Sequence, residues 1–140
     1  LRDDFFEIID SAGSMDLMVS IGTNGTLINQ DINKRLAGYQ LKIQISLDGA
    51  TPDTYDRLRG QGAFHQTVKG LDLLLSQNLG KDIVIAFTAT RLNIAEIPDI
   101  IRFGLERGIQ VIQFPPLSPS GRAKSNWDEL KLTTQETLYF

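Results

Sequence analysis

Four short β-rich runs, 17–23 (LMVSIGT), 42–47 (KIQISL), 83–90 (IVIAFTAT) and 110–115 (QVIQFP), each sort their side chains into two unlike faces. One face carries Val19 and Ile21, then Ile43, Ile45 and Leu47, then Ile83, Ile85 and Phe87, then Ile112 and Phe114, all large and apolar. The other carries Ser20, Gly22 and Asn24, then Gln44, Ser46 and Asp48, then Val84, Ala86, Thr88 and Thr90, then Val111 and Gln113, which are small or polar. A doubly wound sheet is covered by helices on both faces, so its strands read as near-continuous apolar runs. Only one face of these strands is built to take helices, and the polar face must line a cavity. That describes a closed or partial (β/α) barrel with its site at the C-terminal strand ends.

Helical patterns alternate with the strands, as βαβ units with right-handed crossovers require. Phe5, Ile8, Ile9 and Ala12 recur at helical spacing before the first strand. Asn29 is the expected N-cap of a helix over 30–37, and Thr51 followed by Pro52 reads as N-cap and first helical position. A stronger helix is expected over 64–77. Ile97, Ile100, Ile101 and Leu105 form a further stripe ending near Gly108; Pro98 must sit in its first turn, so 93–96 is expected to be a preliminary turn. Thr133 and Glu136 form a capping-box signal. Residues 118–129 (SPSGRAKSNWDE) read as one long irregular loop, and no linker divides the chain, so residues 1–140 are expected to form a single domain.

Composition narrows the function classes. With 41% hydrophobic and 22% charged residues, the 140-residue chain is that of a folded globular protein. A net charge of −3 supplies no broad cationic surface, so neither nucleic acid nor an acidic membrane is an expected partner. No apolar run approaches the roughly 18 to 20 residues of a spanning helix, and no leader pattern precedes the first helix, so the default location is cytoplasmic. Zero cysteines exclude disulfides, thiolate zinc sites and a cysteine-ligated iron–sulfur cluster within these residues. The chain starts at Leu1 rather than Met and stops at Phe140 inside a new helical signal, which reads as a fragment.

Adjacent parallel strands bring Asn24, Ser46, Asp48, Thr88, Thr90, Asn93 and Gln113 to one rim, where amide, hydroxyl and carboxylate groups could bond a polar ligand. Turn chemistry is the alternative for Asn24–Gly25 and Asp48–Gly49, and capping for Asn93. Ser46 and Asp48 are harder to explain that way, because a strand interior gains nothing from polar groups without partners. Asp53, Asp56 and Arg57 read as a solvated helix face. Arg59, before Gly60, could grip a ligand carboxylate bidentately or simply complement the helix dipole. Gly121, Arg122 and Lys124 suggest a weak anion loop or a solvent loop. His65 is the sole histidine, so no triad or multi-histidine metal site can be assembled; it reads as a surface or capping residue and Trp127 as a packing anchor.

The stretches VSIGTNGTLI, QISLDGATPDTYDRLRG, GAFHQTVKGLDLL, FTATRLNIAEIPDII and VIQFPPLSPSGRA, in that order, resemble the middle of a radical S-adenosylmethionine enzyme. The subgroup they resemble matures peptides or builds metallo- and quinone cofactors. The resemblance implies an α/β fold with helices on one face of a parallel sheet, about four β/α units of a partial (β/α)6 TIM-like barrel. In that family a four-iron, four-sulfur cluster sits on a Cys-x-x-x-Cys-x-x-Cys loop, and reductive cleavage of S-adenosylmethionine yields a 5′-deoxyadenosyl radical that acts on a small-molecule or peptide substrate. Carried over by motif, Ser46 of SLDG would contact the methionine or ribose part and Arg59 of RLRG the methionine carboxylate. Thr88 and Asn93 would fall at the fifth strand end and Gln113 on the sixth, where members contact ribose and adenine. With Asn24 of the TNG turn these form the expected cofactor-binding set, and Asp48, facing the cavity, is the candidate catalytic residue. No residue is expected to ligate metal.

The departures are as informative. The cluster loop and the Gly-Gly-Glu-Pro strand that binds the amino group are absent, so the parent protein is expected to be the enzyme. The chain alone is expected to be inactive and to hold neither cofactor firmly. An exposed strand edge and open polar face lead to an expected homodimer or swapped assembly. Two other readings stay open: a complete cluster-free α/β module binding a small ligand or protein partner, and a sugar-phosphate barrel enzyme using Asp48 and the SGR stretch of Ser120, Gly121 and Arg122.

Overall fold

A computed structural model describes residues 2–77 and 82–138 of the chain. Helix α1 (Phe5–Ser14) leads into strand β1 (Val19–Thr23). Helix α2 (Gln30–Leu36) begins where the Asn29 side chain accepts from the backbone N–H of Ile32, and strand β2 (Leu41–Ser46) follows. Thr51 caps α3 (Pro52–Arg59) by accepting from Thr54 N–H, with Pro52 in the first turn as expected. Then come α4 (Ala63–Leu75), strand β3 (Ile83–Ala86), a short 3-10 turn (Ile94–Glu96), α5 (Ile97–Glu106) and strand β4 (Val111–Gln113). The chain continues through α6 (Gly121–Ser125), α7 (Trp127–Leu130) and α8 (Thr134–Leu138). At α8 the capping box closes in both directions: Thr133 N–H donates to Glu136 at 2.6 Å and Glu136 N–H to Thr133 Oγ1 at 3.2 Å.

The four strands are parallel, in the order β1-β2-β3-β4. This is the expected α/β arrangement. Ile43, Ile45, Leu47, Ile83, Ile85 and Phe87 are buried against helices through Tyr55, Leu71, Leu74 and Ile100. Full burial of each such side chain stabilises by about 1.5–3 kcal/mol. The opposite face stays open: Ser20, Gly22, Val111 and Gln113 are exposed, and Gln44, Ser46 and Val84 half-buried. Register aligns Gly22, Gln44, Val84 and Val111 in one row, and Ser46, Ala86 and Gln113 in the row nearer the C-terminal ends.

Three local expectations are corrected. The third run pairs only over Ile83–Ala86, because beyond Phe87 the chain leaves the ladder and Thr88 N–H donates to the Asp48 carboxylate at 2.7 Å instead of to a strand carbonyl. The stretch 118–129 is not one irregular loop but contains α6 and most of α7. Asp56 is not a solvated residue: its carboxylate accepts from Gly62 N–H at 2.6 Å and Phe64 N–H at 2.8 Å, starting α4. Asp53 and Arg57 are exposed, as expected, although Arg57 also reaches Glu129 at 2.8 Å.

Helix α4 crosses the turn after β1 so closely that a Cβ on Gly70 would lie 2.2 Å from the carbonyl oxygen of Gly25. Gly70→Ala is therefore expected to lower stability by about 1–3 kcal/mol. Gly13→Ala, on α1, meets nothing within 4 Å and should stabilise by about 0.5–1 kcal/mol. Urea midpoints of the two variants should move in opposite directions.

Tyr55 is fully buried under β2, its hydroxyl 3.1 Å from the Ser46 carbonyl oxygen and 3.0 Å from Thr67 Oγ1. Burial pushes its phenol above the ordinary value of 10, while the Thr67 hydrogen bond works in the opposite direction. The folded state thus holds this proton more tightly than the unfolded chain does. The associated stability is full below the unfolded value and is lost as pH rises through the folded one. Urea midpoints measured upward from about pH 9 should fall, and Tyr55→Phe should make that fall shallower.

Candidate functional site

The C-terminal ends of β2 and β3 converge because the ladder runs one residue past each strand: Leu47 N–H donates to the Ala86 carbonyl and Phe87 N–H to the Gln113 carbonyl, both at 2.9 Å. The next residue of the β2 run is Asp48, 4% exposed. Its Oδ1 accepts from Thr88 N–H, and its Oδ2 accepts from Arg59 Nε at 2.7 Å and from Arg59 Nη2. The strand end, the segment after β3 and the last residue of α3 are thereby held by one carboxylate.

Two further side chains lock this junction. Asn93 is 1% exposed; its Nδ2 donates to the carbonyls of Asp48 (2.9 Å) and Thr88 (3.0 Å), and its Oδ1 accepts from Thr90 N–H (2.6 Å) and Thr90 Oγ1 (3.0 Å). These bonds use both amide hydrogens and both lone pairs. At the other end of α3, the Glu96 carboxylate accepts from Ala50 N–H (2.7 Å), from Thr51 Oγ1 (2.9 Å) and from Thr54 Oγ1. Gly49 is required between them, since a Cβ there would approach Tyr55 N to 2.8 Å.

Two cavities open at this rim. The larger, about 540 Å³, is lined by Asp48, Arg59, Thr88 and Thr90 on the sheet side and by residues of 116–130 on the other. The smaller, about 290 Å³, is lined by Asn24, Thr26, Tyr55, Arg59, Gln61, Gln66 and Arg122, with Gly60 and Ala63. Its lining contains two guanidiniums and three side-chain amides but no carboxylate. The segment over the larger cavity is tied down through Arg91, whose N–H donates to the Leu130 carbonyl at 2.9 Å and whose Nη1 donates to the Asp128 carbonyl at 3.4 Å. A third cavity, of about 550 Å³, lies at the opposite strand ends, among Leu17, Met18, Leu41, Lys42 and Asp82, away from every candidate residue.

The structure brings Asp48, Arg59, Thr88 and Asn93 into one hydrogen-bonded cluster. Asn24 stands across the smaller cavity: its Oδ1 closes an Asx turn by accepting from Thr26 N–H (3.2 Å) and Thr26 Oγ1 (2.9 Å), and its Nδ2 makes no hydrogen bond among the described residues. Ser46 and Gln113 sit one row below the rim on the open face, outside the lining of either cavity. Glu96 and Asp56 were not legible as organising residues. Glu96 meets partners more than forty positions away, a separation that no local pattern carries. Among the described residues no group of three His, Cys, Asp or Glu side chains could hold a metal, and His65 is exposed on α4.

A four-stranded parallel sheet with one helix-covered face, a polar open face and two cavities at its C-terminal strand ends has the architecture of part of a (β/α) barrel. No family model matches the chain. It is 34% identical, over 99% of its length, to mycofactocin maturase MftC of Mycobacterium ulcerans (strain Agy99), and 32% identical, over 98%, to the AdoMet-dependent heme synthase of Methanosarcina barkeri (strain Fusaro / DSM 804). It spans 37% and 39% of the length of those relatives. The structure of native anSMEcpe with bound AdoMet and Kp18Cys peptide superposes on 95% of this chain and 39% of that one, with a TM-score of 0.74 at 19% identity, and shares the fold. The chain belongs to the radical S-adenosylmethionine superfamily. No helix among the described residues is long and apolar enough to cross a membrane.

Removing the Glu96 carboxylate should loosen the start of α3 while leaving the sheet paired. Glu96→Ala is expected to cost about 1–3 kcal/mol, because it removes hydrogen bonds to a charged group and leaves the part-buried donors of Ala50 and Thr54 unpaired. Amide hydrogen exchange should accelerate at Ala50 while Ile45 stays protected.

Proposed function

We propose that this chain is the part of a radical S-adenosylmethionine enzyme that grips the amino-acid end of the cofactor and shapes the substrate chamber, within a protein that matures a peptide or builds a cofactor. The observation that carries this reading is the smaller cavity. Asp48 occupies Arg59 through Nε and Nη2, leaving Nη1 without a hydrogen bond among the described residues, and Arg59 lines both cavities, of which the smaller has no acid in its lining. A fixed guanidinium beside unengaged amides such as Asn24 Nδ2 fits a carboxylate, which accepts bidentate and charge-assisted bonds. S-adenosylmethionine carries that carboxylate on its methionine end.

On this reading Asp48 is a positioning residue: both of its oxygens are committed, and it aims Arg59. Asn93 likewise braces the rim by holding the carbonyls of Asp48 and Thr88. Ser46, Thr88 and Gln113 keep side-chain polar atoms that bond nothing among the described residues, and they supply contacts for the ribose and adenine. The residues present do not fit an iron–sulfur cluster, because none of the 140 is a cysteine; its ligands belong to other residues of the parent protein. What the bound cofactors supply together is reductive cleavage of S-adenosylmethionine. The names of the relatives, a maturase and a heme synthase, support the maturation and cofactor-building reading. A paired or strand-swapped assembly and a cytoplasmic location belong to the same proposal; solution scattering that showed a monodisperse monomer would remove the first.

In the product of the full reading frame, reconstituted anaerobically, Arg59→Gln is expected to weaken S-adenosylhomocysteine by about tenfold or more. Binding of 5′-methylthioadenosine, which has no carboxylate, should stay unchanged. Equal effects on the two ligands would sink the clamp. The 140-residue chain alone, given iron, sulfide, reductant and S-adenosylmethionine, should develop no charge-transfer absorption and no 5′-deoxyadenosine; either signal would contradict the division of roles.

A further inference from the structure

Asn24 is the only asparagine in the chain that glycine follows. That dipeptide is chemically fragile, because glycine has no Cβ to shield its nitrogen from the neighbouring side chain. The Gly25 nitrogen, once deprotonated, can bond to Asn24 Cγ; the Cγ–Nδ2 bond then breaks and ammonia leaves with the proton. Water opens the resulting five-membered imide at one carbonyl or the other, giving aspartate or, with the backbone rerouted through the side chain, isoaspartate. Asn24 is exposed on the turn after β1, and its Nδ2, the leaving group, makes no hydrogen bond among the described residues. The backbone beside it is not free. Gly25 is buried, with a φ of 77°, and its N–H donates to Thr23 Oγ1 at 3.1 Å. Its carbonyl accepts from Ile28 N–H at 3.1 Å and lies against Gly70 of α4, while Asn24 Oδ1 is held by Thr26 N–H and Thr26 Oγ1.

We propose that Asn24–Gly25 is a site of spontaneous deamidation which the fold keeps closed, chiefly through Thr23, and whose product places a carboxylate at the smaller cavity. The attack needs the Gly25 nitrogen to lose its proton and turn toward Asn24 Cγ. Thr23 holds that proton, and α4 leaves the Gly25 backbone little room to turn. Closure of the imide therefore waits on a local opening of the turn. The consequence for the cavity follows from charge. Its lining contains Asn24, Arg59 and Arg122 and no acid, so a carboxylate at position 24 would face guanidiniums and compete with an anionic ligand for them. This second half rests on the reading of that cavity as a carboxylate clamp; the first half does not.

The test incubates the full-reading-frame protein in mildly alkaline buffer, folded and in concentrated urea, and follows conversion at each asparagine by peptide mass spectrometry. Among the asparagines of this chain, Asn24 should convert fastest in urea, and in the folded protein it should convert at least about tenfold more slowly. Folded Thr23→Val should convert at Asn24 about fivefold faster than the unsubstituted protein, the worth of one hydrogen bond. Thr23→Ser, which keeps the hydroxyl, should stay slow. Equal rates with and without urea, no acceleration in Thr23→Val, equal acceleration in Thr23→Ser, or a rise shared with Asn29 and Asn126 would each overturn the protected site. For the product, Asn24→Asp should weaken S-adenosylhomocysteine by about tenfold and leave 5′-methylthioadenosine unchanged. Unchanged S-adenosylhomocysteine binding in Asn24→Asp, with Arg59→Gln still weakened, would overturn the charge effect alone. Loss of the Arg59→Gln effect would overturn the clamp and the charge effect together.

Discussion

The rim of this protein depends on the buried carboxylate of Asp48. An unpaired charge at that depth would be costly, and a half-paired one little better. Asp48 avoids both by taking one backbone donor from Thr88 and two guanidinium donors from Arg59. The same bonds fix where the β3 run leaves the sheet and where α3 ends. The orientation of Arg59 is therefore a consequence of satisfying a buried charge, and the cavities on either side take their shape from it.

The two faces of the sheet differ in what they carry. The helix-covered face holds the large aliphatic and aromatic side chains, and its burial supplies the driving force for folding. The open face contributes little to that and is free to carry Gln44, Ser46, Thr88 and Gln113. Because parallel strands all point their C-terminal ends the same way, polar residues placed late in each run meet at one rim. Glu96, Asn93 and Asp56 then brace the connecting loops with backbone donors and acceptors that the ladder leaves unused. Loops braced in this way can hold ligand groups without rearranging, which is what the proposed cofactor clamp requires.

Much of this was legible in the residues. The alternation of Ile43, Ile45 and Leu47 against Gln44, Ser46 and Asp48 announced both the sheet and its open face. The caps at Asn29, Thr51 and Thr133 followed from local hydrogen-bond chemistry, and the family from motifs such as SLDG and RLRG. The residues to Thr90 have strand propensity, but β3 ends at Ala86 and Asp48 captures the Thr88 amide. Residues 118–129 looked irregular, since two helices of five and four residues are too short to establish a period. Asp56 looked solvated, because its partners lie past a turn rather than on its own helix.

The sequence by itself determined the local structure: which residues alternate, where helices start, which face is apolar, and that no thiolate is present. Those properties depend on side-chain type and on spacings of a few residues. Only the tertiary structure decided that Asp48 holds Arg59, that Glu96 anchors the start of α3, and that Asn93 ties the carbonyls of Asp48 and Thr88 together. Each of these depends on which groups meet once the sheet has paired, and hydrogen bonding between residues eleven to forty-six positions apart leaves no periodic trace in the chain.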